Sequence, residues 1–380
     1  GNTEIGVYES LATLGSNSWT IGNQLVSGFY PNRIPNPDLK WEKTGQFDIG
    51  FDLGLFNNRL RLTADYYYKK TTDLLYNVAI PSASGYDSML KNIGSVQNKG
   101  YELSIESDNL SGAFSWTTAF NISFNRNKVL ELGGETYKDV GTYDDHLKTS
   151  DIRRLIVGQP IGVFYGYRFD GIFQNEAECA QQTSSPSPIG VGLRRYKDLN
   201  GDGKIDATND REILGDANPK FFGGMTNTFA YKGFELNVFL QYSYGNKIFN
   251  YNAMELESPT GGQNVYQDLV NRWTPTNPSN EYQKATTNRN NIVSDRFIED
   301  GSFLKLKTVS LSYSFPKLNW KHIGGLRLYV TGQNLLTWTK YRGYDPEVSY
   351  RGASTLEAGE DFGGYPQART FMFGIKLDIK

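Results

Sequence analysis

The 380-residue sequence predicts an all-β fold, a transmembrane antiparallel β-barrel with long loops on one side. Three observations carry that reading. Apolar and polar residues alternate over stretches of about ten residues, long for a soluble sheet but matched to a tilted membrane crossing. The connections alternate between tight turns and long polar loops, as in outer-membrane barrels. Aromatic residues make up 14% of the chain, with 25 Tyr, 22 Phe and 6 Trp. They gather toward strand ends (Tyr66, Tyr68, Tyr242, Tyr244, Trp338), where an interfacial girdle would sit. A soluble β-sandwich also alternates, but it requires neither this strand length nor this division of the connections.

In order along the chain, QFDIGFDLGLF sets Phe47, Ile49, Phe51, Leu53 and Leu55 opposite Gln46, Asp48, Gly50, Asp52 and Gly54. After the turn NNR, Leu60, Leu62, Ala64, Tyr66 and Tyr68 oppose Arg59, Arg61, Thr63, Asp65 and Lys69. Tyr101, Leu103 and Ile105 then face away from Glu102, Ser104 and Glu106. Phe114, Trp116, Phe120, Ile122 and Phe124 do the same against Ser115, Thr117, Asn121 and Ser123. FELNVFLQYSY repeats the pattern, as does the terminal strand with Phe371, Phe373, Ile375, Leu377 and Ile379 on one side. Such period-two segments bury one face and leave the other polar. One strand departs from this. In FLKLKTVSLSYSFP, Leu304 and Leu306 are out of phase with Val309, Leu311, Tyr313 and Phe315. A bulge near Thr308 and an upper part rising above the bilayer both account for it. Tight turns fall at FNNR, DNLSGA and YKG, and long loops at 72–97, 129–218, 245–301 and 341–367, leaving about nine spanning strands.

Composition excludes several classes. The 39 Lys and Arg against 41 Asp and Glu, net −2, show no bias toward nucleic acid. The single Cys179 rules out an internal disulfide framework or a cysteine zinc cluster, and only His146 and His322 could serve a histidine-dependent site. No run of 18 apolar residues offers a transmembrane helix. The opening GNTEIGVYES has no signal-peptide pattern, as expected of an unsecreted chain or of a mature or truncated piece. The carboxylate pairs Asp144 with Asp145, and Glu357 with Glu360 and Asp361, lie in polar loops and read as solvated rim charges, so no enzyme is expected. The loop aromatics Tyr143, Tyr266, Tyr341, Tyr344, Tyr350 and Tyr365 read mainly as packing within their loops. Any left exposed could stack on sugar rings or bind a partner lid.

The sharpest motif is KDLNGDGKIDATNDRE at 197–212. Asp198, Asn200, Asp202 and Asp206 occupy the first, third, fifth and ninth places of a calcium-binding loop, with Gly203 at the turning sixth place. Lys204 can supply its backbone carbonyl. The twelfth place, normally a bidentate Glu, holds Asn209, and Asp210 one residue later is the candidate replacement. Amphipathic helices do not flank the loop, which argues against a sensor that opens on binding. The expectation is a structural Ca²⁺ that stiffens a loop, against the alternative of an Asx-rich turn without metal.

Several stretches together resemble the SusC/RagA-like family, the TonB-dependent outer-membrane transporters of Bacteroidetes. They are IPNPDLKWEKTGQFDIGFDLGLFNNRLRLTADYYYKKTTDLL, NIGSVQNKGYELSI, GVFYGYRFDGIF, RYKDLNGDGKIDATNDREILGDANPKFFGGMTNTFAYKGFELNVFLQYSYGNKIFN and GGYPQARTFMFGIKL, in the family's order. The resemblance implies that residues 1–380 are the C-terminal part of a barrel of about 22 strands with a plugged lumen in the cell outer membrane. It also implies import of glycans (oligosaccharides) or peptides, a SusD-like surface lipoprotein as partner, and energy from a TonB complex. Polar residues such as Asp48, Asp52, Arg61, Asp65, Glu102, Glu106, Asn121, Asn237 and Gln241 would face the lumen, and the opposite face would meet outer-membrane lipid. The alternative is a secreted or surface β-rich, calcium-stabilised module for glycan binding or adhesion. Strand parity places 129–218, a long insertion that carries the acidic loop, outside the cell, with GVFYGYRFDGIF as a non-spanning element within it.

Overall fold

The computed structural model describes residues 10–80, 84, 86, 88–140, 149, 152–258, 264–287, 291–315, 323–348, 350–352, 354 and 356–379. A two-stranded hairpin comes first, β1 (Thr13–Ile21) and β2 (Gln24–Arg33). Then follow β3 (Lys43–Leu55), β4 (Leu60–Ala79), β5 (Ser88–Leu110) and β6 (Phe114–Leu132). An insert contains the short strands β7 (Tyr137–Val140), β8 (Arg153–Ile156), β9 (Val163–Tyr167) and β10 (Phe169–Ile172). The helical turn α1 (Glu176–Cys179), β11 (Arg194–Tyr196) and β12 (Arg211–Asp216) complete it. Next come β13 (Phe221–Tyr231), β14 (Phe234–Tyr244), β15 (Lys247–Asn250) and α2 (Tyr251–Leu256). The last elements are β16 (Ile298–Asp300), β17 (Phe303–Ser314), β18 (Ile323–Thr339), β19 (Glu360–Asp361) and β20 (Thr370–Ile379).

Nine strands form one antiparallel sheet in the order β20-β18-β17-β14-β13-β6-β5-β4-β3. These are the nine crossings the alternation predicts. One face stays apolar and uncovered: Phe47, Ile49, Phe51, Phe371, Phe373, Ile375 and Ile379 are each more than half exposed. Apolar surface of that extent marks a lipid face rather than a soluble exterior. Two aromatic belts bound it. In the upper belt Tyr66 meets Tyr101 (centroids 5.0 Å apart), and Phe221 meets both Phe124 (5.9 Å) and Tyr244 (5.0 Å). In the lower belt, beside the tight turns, Trp116 meets Phe229 (5.7 Å) and Phe234 meets Tyr313 (4.5 Å). Along β13 the belts lie eight to ten residues apart, roughly 26–33 Å of strand, which a tilt of about 40° reduces to the ~25 Å of an apolar band.

The out-of-phase strand contains a bulge. On β14, Phe239 pairs with Thr308 and Leu240 with Leu306, so Lys307 is the extra residue. The bulge brings Leu304 and Leu306 back onto the same face as Val309 and Leu311, opposite Tyr242, Leu240, Val238 and Leu236.

One expected loop is mostly strand. β4 runs to Ala79 and β5 starts at Ser88, so most of 72–97 continues the barrel pairing above the upper belt. In TTDLLYNVA the strict alternation stops because neither lipid nor lumen enforces it there, and the reading that relied on alternation stopped with it. GVFYGYRFDGIF contributes β9 and β10, and neither joins the nine-stranded sheet.

The closely packed core lies at the upper end, away from the sheet. Ile152 and Phe164 of the insert pack with Phe249, Tyr251, Ala253 and Met254 after β14, and with Val293 and Phe297 before β17. Partly buried Phe362, from the β18–β20 connection, joins them. Three connections remote in sequence thus share one core.

Candidate functional site

The polar face of the sheet and the cap above it hold the chemistry. On the polar face, Arg61 pairs with Glu106 (2.9 Å), Thr63 donates to Asp52 (2.6 Å) and Arg327 pairs with Glu235 (2.6 Å). Near its upper end Lys305 Nζ lies 2.6 Å from both Asp345 and Glu347 of the β18–β20 connection. Lys307, turned to the same side by the bulge, reaches Glu347 at 3.1 Å, and Gln241 donates to Glu347 at 3.0 Å. This cluster pins the connection to the inner wall. Burial disfavours the charges on Asp345 and Glu347, but the Lys305 contacts and further donors outweigh it and hold both carboxyls below their usual range.

The cap is held by buried charge as well as by its core. Arg153 Nε lies 3.1 Å from Glu360, and its two terminal nitrogens donate to the carbonyls of Gly162 and Ala358. Arg296 and Arg342 meet the two oxygens of Glu257 at 2.8 and 3.1 Å, and Arg342 also pairs with Glu299. Arg194 is fully buried, donates to the Glu257 carbonyl, and has its pKa lowered by that burial. Burial pushes the neighbouring Tyr196 hydroxyl up to about 12. Arg168 and the Phe169 amide both bind Asp295, tying the insert to the connection before β17. The expectation of solvated rim charges therefore fails at Glu360 and Asp361. Both are buried, Glu360 against Arg153 and Asp361 against the Tyr341 hydroxyl.

The acidic loop sits between β11 and β12, so strands rather than helices flank it. Gly201 and Gly203 curl it at φ +78° and +77°. Asp198 accepts from the amides of Gly201 (2.6 Å) and Gly203 (2.7 Å), Asn200 from that of Asp202, and Asp202 from that of Lys204. The amides of Asn209 and Thr208 hold the Asp206 carboxyl below its ordinary pKa. Asp210 is fully buried and clasps the loop, one oxygen taking the Leu199 amide and the other that of Asp206, each at 2.8 Å. In this arrangement the carboxylates turn onto the loop's own amides. Among the described residues no three His, Cys, Asp or Glu side chains gather as a metal cluster. The donors remain hard oxygens at calcium spacing, and a carboxylate holding an amide retains further lone pairs.

Residues 8–175 match the family described as "TonB dependent receptor-like, beta-barrel". The chain is 41% identical, over 99% of its length, to TonB-dependent receptor P3 of Formosa agariphila, and 34% identical to receptor P26 of the same organism. It is 29% identical, over 90% of its length, to TonB-dependent receptor SusC of Bacteroides thetaiotaomicron. Among solved structures, the RagAB peptide transporter superposes over 99% of the chain with a TM-score of 0.79 at 27% identity. Over nine-tenths or more of its length the chain is therefore similar to TonB-dependent receptors, SusC and the RagAB chain among them. It spans 38% of P3 and of P26, 32% of SusC and 39% of the matched RagAB chain.

As part of such an outer-membrane receptor, the uncovered apolar face meets lipid and the polar face turns into the barrel. Of the loop aromatics, Tyr341 is buried and Tyr266 packs on the cap core, whereas Tyr344 and Tyr365 are exposed. Tyr143, Asp144, Asp145, His146 and His322 lie outside the described residues. Sequence reasoning missed the ion-pair scaffold of Arg153, Glu360, Arg296, Glu257 and Arg342. The residues that make those pairs lie tens to hundreds of positions apart, and no local spacing announces them.

Proposed function

We propose that this chain is the C-terminal part of the barrel of an outer-membrane importer, driven by a TonB complex and working with a SusD-like surface lipoprotein. Its cargo on this reading is glycans (oligosaccharides) or peptides. The observation that carries the reading is the two-faced nine-stranded sheet topped by a rigid cap, in a chain 41% identical to a TonB-dependent receptor. Residues 129–218 then form an extracellular insertion, and the cap offers a firm upper surface for a lipoprotein lid. Likeness to a structure described as a peptide transporter supports peptides as one cargo class.

The same proposal assigns the acidic loop a structural Ca²⁺. Asp198, Asn200, Asp202 and Asp206 offer side-chain oxygens, Lys204 offers its carbonyl, and Asp210 closes the loop. Hard-oxygen chemistry and spacing support this assignment.

Energy-dependent uptake tests the transport reading. Cells carrying the full-length receptor and its lipoprotein should accumulate labelled oligosaccharide or peptide, and a protonophore should abolish the accumulation. Uptake that persists without the proton gradient would overturn the reading, as would none from a folded receptor.

A further inference from the structure

Above the upper belt, the lipid face of the sheet ends in a patch of positive charge. Lys99 of β5 stands directly opposite Arg126 of β6. Two residues further out, Gln97 of β5 stands between Lys70 of β4 and Lys128 of β6. One step below Lys99, the same register aligns Tyr66, Tyr101 and Phe124 of the belt. Residues two apart on a strand share a face, so the four cations lie on the lipid face, immediately outside the belt. All four are exposed. Cross-strand neighbours lie about 5 Å apart and successive steps about 7 Å, so four long side chains can converge on one headgroup.

Two features select an anionic lipid. The first is missing neutralisation. Like charges directly opposite each other destabilise a sheet, yet no carboxylate stands in these two steps of β3 to β6. Among the described residues none of the four cations forms an ion pair. Arg126 spends one terminal nitrogen on the carbonyls of Asn125 and Lys220. Lys43 of β3, by contrast, has Asp73 at 3.6 Å.

The second feature is position. At the opposite end of the same strands the lipid face holds Leu55, Leu60, Ser107 and Thr118, with no charge. The patch therefore belongs to one leaflet, the outer one by the placement of the tight turns. Hydrocarbon disfavours a charge on this face, and long basic side chains escape the cost by reaching outward to the headgroups. A lumenal cargo would approach the other face of the sheet.

We propose that Lys70, Lys99, Arg126 and Lys128 form a site for the phosphate of an anionic lipid headgroup in the outer leaflet, with the belt aromatics against the lipid below it. The headgroup supplies the negative charge that the sheet lacks there. The proposal takes from the import reading only the outward direction of the long loops, and nothing about cargo.

Native mass spectrometry of the detergent-solubilised full-length receptor tests it. The probes are monophosphoryl lipid A, the same lipid after enzymatic removal of its phosphate, and inorganic phosphate. The phosphorylated lipid should bind about tenfold or more tighter than the dephosphorylated one. Each cation beside an anionic headgroup is worth about fivefold in affinity, so Lys99→Gln combined with Arg126→Gln should weaken binding roughly 25-fold. Lys376→Gln, at a cation on the polar face, should leave it unchanged. Without lipid, the double variant should keep or raise the temperature of its heat-induced mobility shift, because a like-charge pair is gone. That sign separates lost binding from lost folding. Lys70→Gln should weaken binding about fivefold and tests the site if the double variant does not assemble. Equal binding of the two lipids, unaltered binding by the double variant in a folded receptor, or displacement of the lipid by an equal concentration of inorganic phosphate would overturn the site. Failure of the import reading has a different signature, the absence of protonophore-sensitive uptake whichever lipid binds.

Discussion

The guanidinium of Arg153 and the carboxylate of Glu360 lie 3.1 Å apart across 207 residues of sequence, with both side chains almost wholly shielded from water. One stands at the start of β8 and the other in β19, so the pair joins the insert to the β18–β20 connection. Removing one partner of a buried pair leaves an uncompensated charge, which costs about 3–5 kcal/mol. Glu360→Ala should therefore open the cap and leave the barrel sheet intact. Hydrogen exchange should show lost protection over 152–167 and 341–362, with unchanged protection along β13 and β14.

The Lys305 cluster predicts a pH response with a definite sign. Asp345 and Glu347 have folded-state pKa values below their ordinary 3.8 and 4.5, so their contribution is fully present above the ordinary values. It is lost as pH falls through the depressed folded-state values. Proteolysis of 343–352 should be constant from neutral pH down to about 5 and accelerate once pH drops below the ordinary carboxylate range of about 4. Lys305→Met should make the same stretch labile at neutral pH.

Gly100 sits on β5 between the Tyr67 ring and the Phe124 carbonyl. A Cβ there would meet them at 2.7 and 2.3 Å. The Tyr67 hydroxyl, bonded to Asn125 at 2.9 Å, restrains the ring. Gly100→Ala should destabilise the barrel by about 1–3 kcal/mol, the cost of overpacking. The change should appear as a lower temperature for the heat-induced mobility shift in gel electrophoresis. Tyr67→Ala should rescue only part of it, because the Phe124 carbonyl stays in place.

The calcium assignment of the acidic loop predicts that chelation increases protease cleavage within 195–215 while the barrel stays folded. Equal cleavage with and without chelator would leave a loop closed by its own amides. Asp210→Ala should loosen the same segment in either case, because two amides lose their acceptor.

The nine spanning strands were legible because lipid on one side and a polar interior on the other enforce period two at every step. Where that constraint ends, so did the reading, as at 72–97. The β1–β2 hairpin was missed, although WTIGNQLV contains its signal. Gly22 and Asn23 take φ +58° and +62°, the positive values a two-residue hairpin turn needs, but the flanking Ser, Asn and Gly blur the alternation. The phase slip around Thr308 was visible, and pairing with β14 decides between its two explanations in favour of the bulge. The acidic loop was found by spacing, whereas the clasping role of Asp210 required coordinates. Glu360 and Asp361 looked like surface charges because their partners, Arg153 and Tyr341, are set by the fold and not by neighbouring sequence.

Thiol labelling in intact cells tests most directly that the sheet crosses the outer membrane with the cap outside. Cys179 is buried, so single new cysteines report cleanly. Val270→Cys lies at an exposed point of the connection between β14 and β17, and Ser111→Cys lies in the tight turn between β5 and β6. A membrane-impermeant maleimide should label the Val270 variant on intact cells, and the Ser111 variant only after the envelope is permeabilised. Labelling of Ser111 from outside, or equal labelling of both, would contradict the account.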